Sequence, residues 1–103
     1  MWLFLDDIRM TPDGNWHVVR TATEAIEFLK TGKVERISFD HDLGTDITGY
    51  HVANFIEQMA AEGRLARLDW QIHSANPVGR ANIQRAMESA DRFWGVVDRQ
   101  PEM

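Results

Sequence analysis

Three short stretches of this chain carry residues able to move protons or hold a phosphoryl group. Asp6-Asp7 follows the apolar run Trp2 to Leu5, Asp40-His41-Asp42 follows Ile37-Ser38-Phe39, and His73-Ser74 follows the segment ending at Ile72. Each polar group arrives where a strand-like stretch stops, which makes poor core but a plausible place for chemistry. Imidazole titrates near physiological pH. His41 and His73 could therefore divide the work, one taking a proton from water and the other giving one to a leaving oxygen. Asp40 or Asp42 would fix the tautomer of either ring. Asp6 and Asp7, with Asp40 and Asp42 nearby, offer hard oxygen ligands of the kind Mg²⁺ takes. Alternatively, one of the pair orients a histidine, binds Arg9 or simply caps a turn.

A second set suits an anion. Ser74 supplies a hydroxyl, and Asn76-Pro77 is a strong helix start whose free backbone N–H groups and positive dipole end favour a phosphate. Arg80 lies about one turn into that helix, and helical side chains lean toward the N-terminus. Its guanidinium is thus placed to clamp a phosphoryl oxygen, and Arg9 is a second clamp. The bland alternative is that Asn76 only caps and Arg80 is only solvated. His17 and His51 lack polar company and read as structural or surface residues. No phosphate-binding glycine loop, dinucleotide motif, nucleophile elbow or zinc-protease helix is present.

These residues need elements to position them. Trp2 to Leu5 reads as a strand buried on both faces, as in a parallel sheet with helices on each side. Residues 8 to 15, with Pro12 and Asp13-Gly14-Asn15, read as loop. Trp16 to Arg20 is a second strand. Thr21 opens a helix with capping-box spacing to Glu24, places Ala22, Ala25, Ile26 and Leu29 on one face, and ends at Gly32. Arg36 to Asp40 alternates as a third strand. Val52, Phe55, Ile56, Met59 and Ala60 mark a second helix closed near Gly63. Leu68, Trp70 and Ile72 alternate as a fourth strand. Ile83, Ala86, Met87 and Ala90 mark a third helix that ends before Gly95, and Val96-Val97 could add a short last strand.

Two strand–helix–strand units predict a parallel α/β sheet with right-handed crossovers. The first connection is too short for a helix. Either the first two strands are antiparallel, or an extended loop replaces a lost helix. In open parallel sheets ligands bind at the carboxyl ends of the strands, where Asp6-Asp7, Asp40-His41-Asp42 and His73-Ser74 all fall.

With 103 residues the chain predicts a single domain spanning residues 1–103. A net charge of −5 argues against nucleic acid or anionic membrane as the partner of the whole surface, and there is no DNA-binding signature, though a local basic pocket remains open. The absence of cysteine removes disulfides, thiolate metal sites and thiol nucleophiles. No signal peptide or membrane span is visible, so a cytoplasmic location is the default expectation.

In several of its motifs the chain resembles the cyclic-phosphate processing receiver-like domains. The stretches that carry the resemblance are Leu3-Phe-Leu-Asp-Asp-Ile-Arg9 with Pro12, Thr23-Glu24-Ala25, Ser38 to Gly44 with Thr48-Gly49-Tyr50, and His73-Ser-Ala-Asn-Pro77 with Gly79-Arg80. The resemblance implies a receiver-like, flavodoxin-like three-layer α/β sandwich of four or five mainly parallel strands, with the first crossover helix replaced by a loop. It also implies a role in opening or removing cyclic or terminal phosphates, in bacteria or their phages. Compared with phosphoacceptor receivers, Asp6 and Asp7 match the metal-binding acids, Asp40 the phosphoacceptor and Ser74 the hydroxyl after strand four. The lysine after strand five is missing and two histidines are added, which favours a rebuilt site over phosphorelay.

Three functions therefore compete. The first is a phosphoesterase acting on an RNA end or a nucleotide, with His41, His73 and Asp40 catalytic and Ser74, Asn76, Arg80 and Arg9 binding phosphate. The second is a non-catalytic receiver-like module binding metal or phosphate through Asp6, Asp7 and Asp40. The third, resting on size, acidity and four Trp, is a small adaptor or inhibitor that occupies a protein partner.

Overall fold

A computed structural model describes residues 1–10 and 14–95 of the chain. Within them β1 (Trp2–Leu5), β2 (Trp16–Val19), α1 (Ala22–Leu29), β3 (Arg36–Phe39), α2 (Gly49–Ala61), β4 (Asp69–Ile72) and α3 (Pro77–Phe93) follow in order. The four strands form one sheet in the order β2-β1-β3-β4. Every pair is parallel, with Trp2 opposite both Trp16 and Arg36, and Arg36 opposite Asp69. The connection between β1 and β2 is thus a crossover without a described helix. Residues 11–13 in that connection, and the short strand expected at Val96-Val97, lie outside the described residues.

Local chemistry explains the helix starts. Thr21 is the N-cap of α1 and accepts from the Glu24 N–H at 3.1 Å. The Glu24 carboxylate reaches back one residue further than a capping box requires, to the Arg20 N–H at 3.0 Å. Thr48 caps α2, and the reciprocal partner there is His51, whose Nδ1 accepts from the Thr48 N–H at 2.9 Å. Asn76 caps α3 through the Gly79 N–H at 3.0 Å, with Pro77 in the first turn. Gly32 and Gly63 stop α1 and α2 with φ of 74° and 69°, a left-handed conformation that side chains resist.

Both crossovers, β2 to β3 and β3 to β4, advance the same way across the sheet. Right-handedness therefore puts α1 and α2 on one face, and α3 packs beside α2. Leu3, Leu5, Ile37 and Phe39 point into that helical layer and are fully buried with Val52, Ile56, Ile83 and Met87. Each such side chain contributes about 1.5–3 kcal/mol. Exposed pairs such as Lys30–Glu27 at 3.3 Å contribute under about 1 kcal/mol, so burial holds the layer.

The opposite face, which no described helix covers, is closed by side chains. Trp2 and Trp16 pack with ring centroids 5.2 Å apart, Phe4 meets Trp16 edge-on at 6.0 Å, and the Arg36 guanidinium lies 4.6 Å from the Trp2 ring. Strand alternation puts Phe4, Asp6, Ser38, Gln71 and His73 on this same face. Among the described residues no helix is long and apolar enough to cross a membrane.

Candidate functional site

The carboxyl ends of β1, β3 and β4 bring two linked groups together, one on each side of Asp40. The first is centred on His73. Its Nε2 lies 3.0 Å from Asp6 Oδ2, its Nδ1 lies 2.7 Å from Ser38 Oγ, and its ring stacks on Phe4 at 4.4 Å with 3° between the planes. Ser38 Oγ also accepts from Gln71 Nε2 at 3.3 Å. With that lone pair used, the simplest pattern has the Ser38 hydroxyl donating to Nδ1 and His73 donating from Nε2 to Asp6. Ser38 and Asp6 are both fully buried.

Asp6 is held from the other side as well. Its Oδ1 accepts from the Arg9 N–H at 2.8 Å and the Ile8 N–H at 3.0 Å. Burial raises the Asp6 carboxyl, but the hydrogen bonds from Arg9, Ile8 and His73 outweigh it, and its pKa lies below the ordinary value. Asp40 goes the other way. Burial and the neighbouring charge of Asp6 raise it, against weaker opposition from the His41 N–H, His73 and the Ser74 hydroxyl. The two neighbouring acids are thus shifted in opposite directions.

The second group is centred on His41, on the side facing α3. Its Nδ1 lies 2.9 Å from Asp42 Oδ1, and Asn76 Nδ2 donates to both Asp42 oxygens at 3.3 and 3.4 Å. These hydrogen bonds, first from His41 and then from Asn76, hold the exposed Asp42 carboxyl below its ordinary value. The His41 ring lies against Gly79, where an added β-carbon would overlap it. Gly49, in the first turn of α2, similarly lies against the Asp40 carbonyl and donates its N–H to His41 O at 2.9 Å. Glycines at 49 and 79 are thus what let two helix starts close on the triplet.

The arginines brace this rim. Arg80 Nη1 donates to the carbonyls of Ile72 and Ser74 at 3.0 and 3.1 Å, and Arg9 Nη1 donates to His73 O at 3.1 Å. Arg20 Nη1 bonds the carbonyls of Asp6 and Arg9 at 3.0 and 2.7 Å. Arg20 was not singled out by its sequence context, and neither were Ser38, Gln71 or Phe4. The strand alternation that groups Ser38 with His73 was the available signal. Ser74 is buried, and its hydroxyl serves both Asp40 and the Asn76 N–H, the latter at 3.1 Å. No hydrogen bond or ring contact joins His41 to His73 among the described residues, so the two rings work in separate networks.

Asp6, Asp40 and His73 have metal-capable atoms within 4.8 Å of one another. Asp7 and Asp42 do not enter that group: Asp42 pairs with His41, and Asp7 Oδ2 lies beside Gly44. The group offers two carboxylates and one nitrogen, a poor set for Mg²⁺, which prefers oxygen. Its Asp6 oxygens are already taken by two backbone N–H groups and by His73. The residues fit a shared proton better than Mg²⁺. A larger apolar cavity of about 450 Å³, lined by Leu29, Val34, Phe55 and Leu65, sits at the opposite, amino ends of the strands. It meets none of these groups.

No curated protein and no solved structure matches the chain. The family comparison does give a match, to the cyclic-phosphate processing receiver domain, over residues 1–89. That span contains all four strands, both histidine networks and most of α3. A receiver-like sheet, with the Asp6, Asp40 and Ser74 positions at one rim, agrees with it. The chain belongs to the cyclic-phosphate processing receiver domain family.

Proposed function

We propose that the protein is a phosphoesterase that opens a cyclic phosphate or removes a terminal one, on an RNA end or a nucleotide, at the carboxyl rim of its sheet. The observation that carries this reading is the arrangement of His41. Asp42 holds Nδ1 at 2.9 Å, and the ring lies on the first turn of α3. That leaves Nε2 as a base beside the end of a helix that favours an anion. Asn76 occupies the Gly79 N–H, so the Val78 N–H is the amide of that turn left for a phosphoryl oxygen.

In the reaction, water attacks phosphorus as His41 Nε2 takes its proton, and the bond from phosphorus to the ester oxygen breaks. That oxygen needs a proton. Asp40, whose carboxyl is raised by burial and by the charge of Asp6, gives it up from its protonated form, and the Asp6–His73 pair fixes the surroundings of that carboxyl. The remaining N–H groups of Arg80 and Arg9 complement the charge that develops on the phosphoryl oxygens. No step is assigned to a metal ion.

The family membership supports the substrate class, and the opposed shifts of Asp6 and Asp40 support the acid role. Phosphorus NMR of a 2′,3′-cyclic mononucleotide incubated with the protein tests the reading. Conversion to a single phosphomonoester, lost in His41→Ala, is the expected result; no conversion over a broad pH range would remove it.

A further inference from the structure

A polar groove of about 300 Å³ runs between α2 and α3, away from the histidine networks. Tyr50 opens it, in the first turn of α2, and Asn82, Arg85, Ser89 and Arg92 line its α3 wall. Both helices follow parallel strands, so both begin at the active rim and run from it side by side. Tyr50 therefore stands at the rim, one residue from the Gly49 that touches Asp40, while Arg92 lies in the last turn of α3. From Asn82 to Arg92 the wall extends about 15 Å, and the two arginines, seven residues apart, are about 10 Å apart along one stripe.

The charge of this stripe runs against that of the chain, which carries a net −5. Arg85 is steadied by Asn82, its Nη2 donating to Oδ1 at 2.5 Å, and neither Arg85 nor Arg92 has an ion pair among the described residues. Glu57 lines the facing wall without pairing to either. A half-exposed aromatic followed by spaced guanidiniums along a polar groove is the chemistry that holds a single nucleic-acid strand. Bases stack on the ring, and phosphates meet the cations.

We infer that this groove binds the single-stranded chain leading to the reacting phosphate, so that the preferred substrate is an oligoribonucleotide end and not a free mononucleotide. This rests on the phosphoesterase reading for what happens at the rim. It adds a binding site outside the catalytic groups. Tyr50 takes a base next to the terminal nucleotide, Arg92 and Arg85 take phosphates further along, and Asn82 and Ser89 supply hydrogen bonds to sugar or base. An acidic peptide would satisfy the arginines but would leave Tyr50 unused.

The test is fluorescence anisotropy competition with triuridylate 3′-phosphate, uridine 3′-phosphate and tetraglutamate, on the full chain and on the variants Arg85→Gln/Arg92→Gln and Tyr50→Ala. The trinucleotide is expected to bind at least about tenfold tighter than the mononucleotide, with tetraglutamate weakest. The arginine variant should erase most of that preference and flatten the salt dependence by about 0.7 in log–log slope per lost phosphate contact. Tyr50→Ala should weaken the trinucleotide about fivefold or more. Arginine-dependent trinucleotide binding in a protein that opens no cyclic phosphate would uphold the groove and remove the phosphoesterase. Equal affinity for the two nucleotides, tetraglutamate binding as tightly, or an arginine variant that binds like the parent would overturn the groove, whatever the rim catalyses.

Discussion

His73 donates toward a fully buried carboxylate: its Nε2 lies 3.0 Å from Asp6 Oδ2, across a sequence separation of 67 residues. The contact ties the ends of β1 and β4 together over β3, and the Ser38 hydroxyl on the middle strand fixes the other side of the ring. An imidazole held at both nitrogens and stacked on Phe4 has one orientation. Its Nε2 proton therefore points to one place, the Asp6 carboxylate.

Ser38→Ala removes the partner of His73 Nδ1 and of Gln71 Nε2 in a buried setting. The expected cost is about 1–3 kcal/mol, because two polar groups lose a partner away from water. Denaturant unfolding checks the stability. Nitrogen-detected NMR of the imidazole checks the second consequence, a change in the balance of tautomers of His73. An unchanged ring spectrum would mean that Ser38 does not set it.

Asp40 bears the opposite kind of strain. Its carboxyl titrates above the ordinary value of 3.8 because burial and Asp6 disfavour its charge. A raised acid favours the folded state while both states are protonated, and that contribution is lost as pH rises through the folded pKa. In its ionised form Asp40 is a liability to the fold. Asp40→Asn should therefore raise the melting temperature at pH 7, with the gain shrinking as pH falls toward 4, while activity drops by 10²-fold or more, on the order of the effect of general acid–base groups. Melting curves across pH check the first part and turnover checks the second.

Gly49 and Gly79 should differ in how they fail. A β-carbon at 49 meets the Asp40 backbone carbonyl, which cannot turn aside, whereas one at 79 meets the His41 ring, a side chain that can move. Gly49→Ala is expected to destabilise the fold by about 1–3 kcal/mol or more. Gly79→Ala should cost less stability and more activity, by dislodging His41. Paired unfolding and turnover measurements separate the two; equal losses of both in both variants would contradict the assignment.

The element order and the helix starts were legible because they rest on local chemistry. Thr21 and Asn76 cap the helices that their spacing announces, and Gly32 and Gly63 follow two of the helix ends. The direction of β2 was not legible. An eight-residue loop permits either sense; in the fold the pair is parallel, and Trp16 packs on Trp2 and Phe4. His41 and Asp42 are neighbours whose pairing their spacing allows. His73 is different: its partners Ser38 and Asp6 come from two other strands, 35 and 67 residues away, so no spacing rule reaches them. Arg80 differs again: its position suggests a phosphate clamp, but its Nη1 is used on the carbonyls of Ile72 and Ser74, only 8 and 6 residues back.

The central claim is that the two histidine networks make one acid–base site. The measurement that bears on it most directly is the pH dependence of kcat/KM for opening a 2′,3′-cyclic nucleotide, in the parent protein and in His41→Ala and His73→Ala. The account predicts a bell-shaped profile for the parent, loss of its low-pH limb in His41→Ala, and a fall of about 10²–10⁴-fold in each variant. Undiminished turnover in both variants, with the parent's profile, would contradict it.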